Sequence, residues 1–235
     1  MDGHGAAQGA AGTQEPGIVL TRVRRYNLLV AVMFGGRRRA LNTALASASG
    51  AGPGDLVLDI GCGPGHFAGL LAQTVGPHGQ VVGVDPSAPM IVYANRHAGR
   101  RANCRFELAP AQSLDLPDAA FDVVTSTFAM HHIPSEARTA ALAQMYRVLR
   151  PGGRLLIADA YPSGSVAPRV AHALTWLSRL VRRRSSEDDS QHAADPFADV
   201  DVRHHAGALR EIGFTEPRFT DVKPWTRYLV TTKPA

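Results

Sequence analysis

The chain has 235 residues, a hydrophobic fraction of 45% and a formal net charge of +5. That length suits one large domain or a domain with a lid. The apolar content is that of a soluble globular protein, and two cysteines, Cys62 and Cys104, exclude a disulfide-built scaffold.

The first 17 residues are rich in Gly, Ala and Gln, carry no basic or apolar signal segment, and read as a disordered tail. Leu28–Phe34 is apolar but bounded by Asn27 and Arg37–Arg39, far too short to cross a bilayer. The expected location is therefore cytoplasmic. The positive charge is nearly all arginine, in short clusters at Arg22/Arg24/Arg25, Arg37–Arg39 and Arg182–Arg184. Glu187, Asp188 and Asp189 follow the last cluster. Runs this short read as solvated faces, and no nucleic-acid partner is expected.

In chain order, Ile18–Ser47 reads as two helices broken at Gly35–Gly36. Strands are then expected at Leu56–Ile60, Gln80–Asp85, Cys104–Leu108, Phe121–Thr127 and Arg154–Ala158, each a short run of Val, Ile, Leu or Phe. Helical patterns lie between them at His66–Val75, Ala88–His97 and Glu136–Leu149. In the last, Ala137, Ala141, Leu142, Met145 and Leu149 recur at helical spacing, with Ser135 as the expected N-cap and Pro151–Gly153 as the stop. Beyond Asp159 the pattern changes. Val166–Arg184 reads as an amphipathic helix with Trp176, Leu177, Leu180 and Val181, and Ser185–Asp199 as a polar loop. Val202–Ile212 reads as a short helix closed by Gly213, followed by strand-like Phe214–Val222 and Arg227–Thr232.

Strands alternating with helices imply βαβ units and a parallel sheet with right-handed crossovers. The domain organisation that follows is a tail over 1–17, a helical lid over 18–49, and a main domain over 50–235 interrupted by an insertion at about 162–200.

The segment "VLDIGCGPGHF", Val57–Phe67, places Gly61, Gly63 and Gly65 between the first strand and the first helix of this alternating core. Ligands of open α/β sheets sit at the carboxyl ends of the strands, and the free N–H groups of a helix start favour an anionic group. A dinucleotide fingerprint would read G-x-G-x-x-G; here the third glycine arrives one residue early and His66 fills its place. Asp85, ending the second strand in "VVGVDPS", can accept hydrogen bonds from both hydroxyls of a ribose. By itself this leaves open which ribose, or whether Asp85 serves only the turn before Pro86.

Together, "VLDIGCGPGHF", "VVGVDPS", "FDVVTSTFAMHHI" and "LRPGGRLLIAD" resemble the successive motifs of the class I S-adenosylmethionine-dependent methyltransferases, in particular the group containing the ubiquinone/menaquinone C-methyltransferases. The likeness covers about residues 54–160, and "LREIGF" and "VTTKP" resemble that group's ending. It implies a Rossmann-like, doubly wound α/β fold: a mostly parallel seven-stranded sheet with an antiparallel last strand and helical lid elements. It also implies S-adenosyl-L-methionine as cofactor. Gly61, Cys62, Gly63 and Gly65 would line its methionyl part, and Asp59 would hold its amino group. Asp85 would hold the ribose, with Pro86 and Met90 near the adenine. Ala111 and Gln112 would stand at the adenine edge, and Thr127 under the methionyl tail. Family members often place an acidic or amide residue before that alanine; here it is Pro110, which has neither side-chain acceptor nor N–H.

The sulfonium of such a cofactor already activates its methyl group. The protein has to align the nucleophile, exclude water and take a proton where the nucleophile requires it. His132, in "MHHIP", and Asp159, ending the fifth strand, are the candidate base and its carboxylate. Loop capping and a turn bond are the alternative roles for His131, His132 and Asp159. His131 and Tyr26 are candidates for the substrate side, Tyr26 closing over the cofactor or anchoring its helix. His204 and His205 read as structural. The expected reaction is methyl transfer to O, N or C of a small molecule. Two alternatives stand beside it: a quinone or lipid substrate met at a membrane surface through the Val166–Arg184 helix, and a cofactor-binding protein without transferase activity.

Overall fold

The alternating pattern folds, in the computed structural model, into a seven-stranded sheet with helices on both faces. The structure describes residues 36–161, 201–223 and 225–235, together with Val23. Tyr26, the tail, the first of the two N-terminal helices, the Val166–Arg184 helix and the Ser185–Asp199 loop lie outside the described residues.

The elements in order are α1 (Arg38–Ser49), β1 (Leu56–Ile60), α2 (His66–Val75), β2 (Gln80–Asp85), α3 (Ala88–His97), β3 (Cys104–Leu108), β4 (Phe121–Thr127), a 3₁₀ turn (Met130–His132), α4 (Ser135–Val148), β5 (Leu149–Ala160), a second 3₁₀ turn (Val202–His205), α5 (Ala206–Ile212), β6 (Arg218–Val222) and β7 (Thr226–Thr232). The strand order is β3-β2-β1-β4-β5-β7-β6. All neighbouring pairs among β1–β5 are parallel, and β7 runs antiparallel to both β5 and β6. The class is therefore Rossmann-like and doubly wound, with the winding reversing between β1 and β4.

Strands covered on both faces read as continuous apolar runs rather than alternating ones. Leu58, Val124, Leu155, Leu156 and Ile157 are fully buried. One face packs Val57, Val123, Leu156 and Ala158 against Leu41 and Leu45 of α1, Phe67 and Leu71 of α2, and Ile91 of α3. The other packs Leu58, Val124, Leu155 and Ile157 against Leu142 and Met145 of α4 and Leu209 of α5. Each such side chain contributes roughly 1.5–3 kcal/mol when removed from water.

Several ends differ from the sequence reading. Ser135 is the first residue of α4, not its cap; Pro134 holds the cap position, and its carbonyl accepts from the Ala137 N–H at 2.9 Å. The helix stops at Val148, because the Pro151 ring would meet the carbonyl four residues earlier. The carbonyls this frees are all met. Arg147 O and Val148 O accept from the Ala119 and Ala120 N–H groups, while Lys233 Nζ donates to Tyr146 O and Leu149 O. β5 then starts at Leu149 and passes an irregularity before Arg154, where its expected start lay. Val202–Ile212 divides into a 3₁₀ turn and α5, closed at Gly213 with φ 114°.

Arg147 secures the β3–β4 connection, which carries Ala111 and Gln112. Its guanidinium donates to Leu116 O at 2.7 Å and Leu114 O at 2.9 Å, and meets Asp118. Arg147→Ala is expected to cost about 1.5–3 kcal/mol, read as a lower urea midpoint with an unchanged slope. An unchanged midpoint would mean the connection holds itself.

Candidate functional site

The reversal between β1 and β4 opens the carboxyl edge of the sheet where their connections part, the place where such sheets take ligands. β1 delivers Asp59 there and β4 delivers Thr125, its partner in register. The Thr125 hydroxyl donates to Asp59 Oδ1 at 2.8 Å, whereas Asp59 Oδ2 is buried with no hydrogen-bond partner. Burial pushes the Asp59 carboxyl up to about 7, against the opposing hydrogen bond from Thr125 and with a further upward push from Asp85.

The glycine loop is tied down by backbone bonds. The Gly61 and Cys62 N–H groups both donate to Val84 O, at 2.8 and 3.0 Å. Gly61 has φ 69°, and a Cβ there would stand 2.3 Å from the Ala129 Cβ, so neither a side chain nor an ordinary backbone fits. Gly65 is left-handed too, and its missing Cβ leaves room for the Phe106 ring. Gly63 differs: around its absent Cβ there is open space. α2 follows with no side-chain cap, so the first N–H groups of the helix meet no capping oxygen.

Asp85 joins the two halves of this edge. Its Oδ2 accepts from the Gly63 N–H at 2.9 Å and its Oδ1 from the Ser87 N–H at 2.8 Å. Each oxygen keeps a second lone pair. Burial pushes the Asp85 carboxyl upward against those two bonds. Ser87 in turn caps α3 by accepting from the N–H of the buried Met90. The loop after β3 begins on the same residue, with the Ala109 N–H donating to Asp85 O at 3.2 Å. Ala111 in that loop is buried and Gln112 partly exposed. Thr127 closes β4, paired with Ala158 of β5 and partly exposed. The Cys62 thiol is buried and pushed well up from its ordinary value, so it stands as a neutral apolar group.

The histidine that meets Asp159 is His131, not His132. His131 Nδ1 lies 2.8 and 2.9 Å from the two carboxylate oxygens, and the Ala160 N–H holds Asp159 Oδ1 at 2.8 Å. The Asp159 side chain is 2% exposed and that of His131 25%. The reason is the 3₁₀ turn over Met130–His132: Met130 turns into the core beneath α4, which sends the next ring towards β5 and the following one away. The His132 ring packs on His131 with centroids 4.0 Å apart. Sequence reasoning also passed over Thr125, Ser87 and Ala129. Thr125 and Ser87 are short polar residues that betray their role only once the strands are in register.

A carboxylate sunk at the switch point with one oxygen free, an open left-handed Gly63 and an uncapped helix start, whose N–H groups favour an anion, form the ligand edge. A methyltransferase-domain family model matches residues 57–153. The ubiquinone/menaquinone biosynthesis C-methyltransferase of Teredinibacter turnerae is 36% identical over 213 residues, 86% of this chain and 84% of that protein. An uncharacterized 37.1 kDa protein in transposon TN4556 of Streptomyces fradiae is 37% identical over 121 residues, 52% of this chain and 34% of that one. Among solved structures, an S-adenosylmethionine-dependent methyltransferase from Aquifex aeolicus superposes with a TM-score of 0.63 at 19% identity, covering 82% of this chain and 89% of that one.

The homology, on this fold, shows a class I methyltransferase. The chain belongs to the S-adenosylmethionine-dependent methyltransferase family that contains the ubiquinone/menaquinone C-methyltransferases. It is an enzyme that uses S-adenosylmethionine to methylate a small molecule. Among the described residues no helix is long and apolar enough to cross a membrane.

Burial, reinforced by His131, lowers the His132 imidazole from 6.5 to about 4, Asp159 opposing. The native state therefore keeps this ring neutral, and its contribution to stability is complete above the unfolded value. It is lost as pH falls from 6.5 through about 4, where unfolded but not folded chains take up the proton. Between those limits the urea-unfolding free energy of wild type should fall relative to that of His132→Asn, and a constant difference would show that the ring is not buried in solution.

Proposed function

We propose that the acceptor is a hydroxylated aromatic compound and that His131 takes its hydroxyl proton. The observation that supports this most is the His131–Asp159 couple. Because Asp159 accepts at Nδ1, the ring proton resides there, and Nε2 carries the lone pair. Among the described residues Nε2 has no hydrogen-bond partner. Ala129, two residues before His131, stands where a Gly61 side chain would be, so the histidine turn adjoins the glycine loop. Removing a phenolic proton makes both the oxygen and the ring carbons beside it nucleophilic, so one base serves O- or C-methylation. The name of the Teredinibacter turnerae relative, a C-methyltransferase of ubiquinone/menaquinone biosynthesis, points the same way.

When bound, S-adenosylmethionine supplies a methyl group already activated by its sulfonium. On this reading Asp59 Oδ2 receives the ammonium group, and the second lone pairs of the Asp85 oxygens receive the ribose hydroxyls. Pro86 and Met90 line the adenine, Ala111 and Gln112 stand at its edge, and Gly61–Gly65 with Thr127 line the methionyl tail. Holding the acceptor in line can supply about 7–11 kcal/mol of barrier reduction in favourable cases.

His131→Asn should lower kcat by about 10²–10⁴-fold, with S-adenosylhomocysteine affinity held. A variant with wild-type turnover removes the base from the mechanism.

Asp59 offers an independent check on the cofactor side. Its carboxyl binds a proton below about 7 and then cannot counter an ammonium. S-adenosylhomocysteine affinity should therefore weaken about tenfold per pH unit below that value, and Asp59→Asn should bind weakly at every pH. Calorimetry giving a flat pH dependence for wild type would sink the ammonium role.

A further inference from the structure

Arg227 of β7 stands between two aspartates. It is in register with Asp159 of β5 on one side and with Asp221 of β6 on the other. Residues directly opposite in antiparallel strands put their side chains on the same face, with Cβ atoms about 4.5–5.5 Å apart. That face is the one covered by α4 and α5, since Leu229, two residues beyond Arg227, and its partner Ile157 both belong to that core cluster. The long arginine side chain therefore has a carboxylate within reach on either hand.

The two carboxylates are not used alike. Arg227 Nε donates to Asp221 Oδ1 at 2.5 Å and Nη2 to Asp221 Oδ2 at 2.8 Å, a two-pronged bond. Nη1 donates to Asp201 Oδ1 and Oδ2 at 3.3 and 3.2 Å. The guanidinium carbon lies 3.5 Å from the centre of the Tyr161 ring. Among the described residues no ion pair joins Arg227 to Asp159, whose partner is the His131 ring.

That choice runs against burial. The Asp221 side chain is 57% exposed, whereas those of Asp159 and Arg227 are 2% and 10% exposed. Coulombic attraction grows as water is excluded, so the buried carboxylate is the stronger pull on a buried guanidinium. Geometry holds Arg227 on the other side. The fork matches the Asp221 carboxylate, and the Tyr161 face receives the cation. Asp201, fixed by accepting from the Arg203 N–H at 3.1 Å, takes the third nitrogen. The consequence falls on His131. Which imidazole nitrogen carries the proton is set by the bond the ring makes. An Arg227 turned onto Asp159 would compete for the oxygens that hold the proton at Nδ1. The proton could then move to Nε2, and a ring protonated there takes no further proton at that atom.

We propose that Asp221 and Asp201 are positioning residues for the His131–Asp159 couple: they hold Arg227 turned away from Asp159, so that this carboxylate stays with His131. This rests on the reading of His131 as the base, and adds what keeps its lone pair at Nε2.

The test uses the full-length enzyme with ¹⁵N-labelled histidine, saturated with S-adenosylhomocysteine, in buffer alkaline enough to keep the imidazoles neutral. Nitrogen–proton correlation spectra show which ring nitrogen bears the proton, and His131→Asn identifies the His131 signals by their loss. Wild-type His131 should carry its proton on Nδ1. In Asp221→Ala, where Nε and Nη2 of Arg227 lose their acceptor, the ratio of the Nδ1 to the Nε2 tautomer should fall roughly 3- to 10-fold. Asp221→Asn, which keeps one acceptor, should fall between the two and serves where the alanine variant does not fold. Adding Arg227→Met to Asp221→Ala should restore the wild-type ratio, because the competing cation is gone. A clamp that only braced the fold would leave the double variant as disturbed as the single one, or more so. S-adenosylhomocysteine affinity by calorimetry should stay that of wild type throughout. A wild-type ratio in both Asp221 variants overturns the proposal, as does a double variant that is not restored. Failure of the base reading alone looks different: His131→Asn would keep its turnover, while the tautomer would still answer to Asp221.

Discussion

The Asp85 carboxylate, receiving the Gly63 N–H on one oxygen and the Ser87 N–H on the other, is the bond on which the rest of the ligand edge hangs. Residues 63 and 85 belong to different βα units. Without a link between them, the glycine loop would be tethered only by its own strand and by Val84 O. With it, one carboxylate sets the height of the loop over β2 and, through Ser87, the start of α3. The backbone carbonyl of the same residue anchors the loop after β3. A charged acceptor makes hydrogen bonds roughly twice as strong as a neutral one, which offsets part of the cost of burying it. The same residue is therefore the hinge of the local fold and, on the proposed reading, the group that takes the ribose.

The carboxyl edge is also where the molecule tolerates what it avoids elsewhere. Burial raises the Asp59 carboxyl to about 7 and lowers the His132 imidazole to about 4, a phenylalanine is left-handed, and a tryptophan N–H is unmet. Each costs stability in the ligand-free protein. Their concentration along one edge is the pattern expected of a site whose ligands supply the missing charges and acceptors. The core strands, by contrast, are covered on both faces by aliphatic side chains.

Legibility in the sequence followed the range of the forces. β1 to β4, α2 and α3 were readable to the residue, because short apolar runs bounded by glycine, proline and aspartate are local signals. β5 proved longer than its apolar run, since Leu149 joins the sheet through pairing with Phe121 before the proline-glycine irregularity. Phe214–Thr215 read as strand, yet β6 begins only at Arg218, because an edge strand needs β7 to pair with rather than its own hydrophobicity. The glycine loop and Asp85 carried their chemistry in local spacing. The choice between His131 and His132 did not: it depends on how Met130 enters the core under α4, a packing decision three-dimensional from the outset.

The edge beyond β4 is harder to read for a related reason. The cofactor edge is built from consecutive βα turns, so its residues fall at regular intervals along the chain. Beyond β4, the residues at this edge, Phe128 after β4, Ala160 at the end of β5 and Trp225 before β7, are brought together by strands that are neighbours in space but not in sequence. β7 is inserted between β5 and β6, and only that insertion carries the Trp225 carbonyl to the Tyr161 N–H. Placed at the sheet's outer edge instead, the same tryptophan would be two strands from Asp159 and no part of its surroundings. The antiparallel last hairpin therefore does more than close the sheet: it brings Trp225 beside a parallel strand end, where a parallel connection would have delivered another helix start.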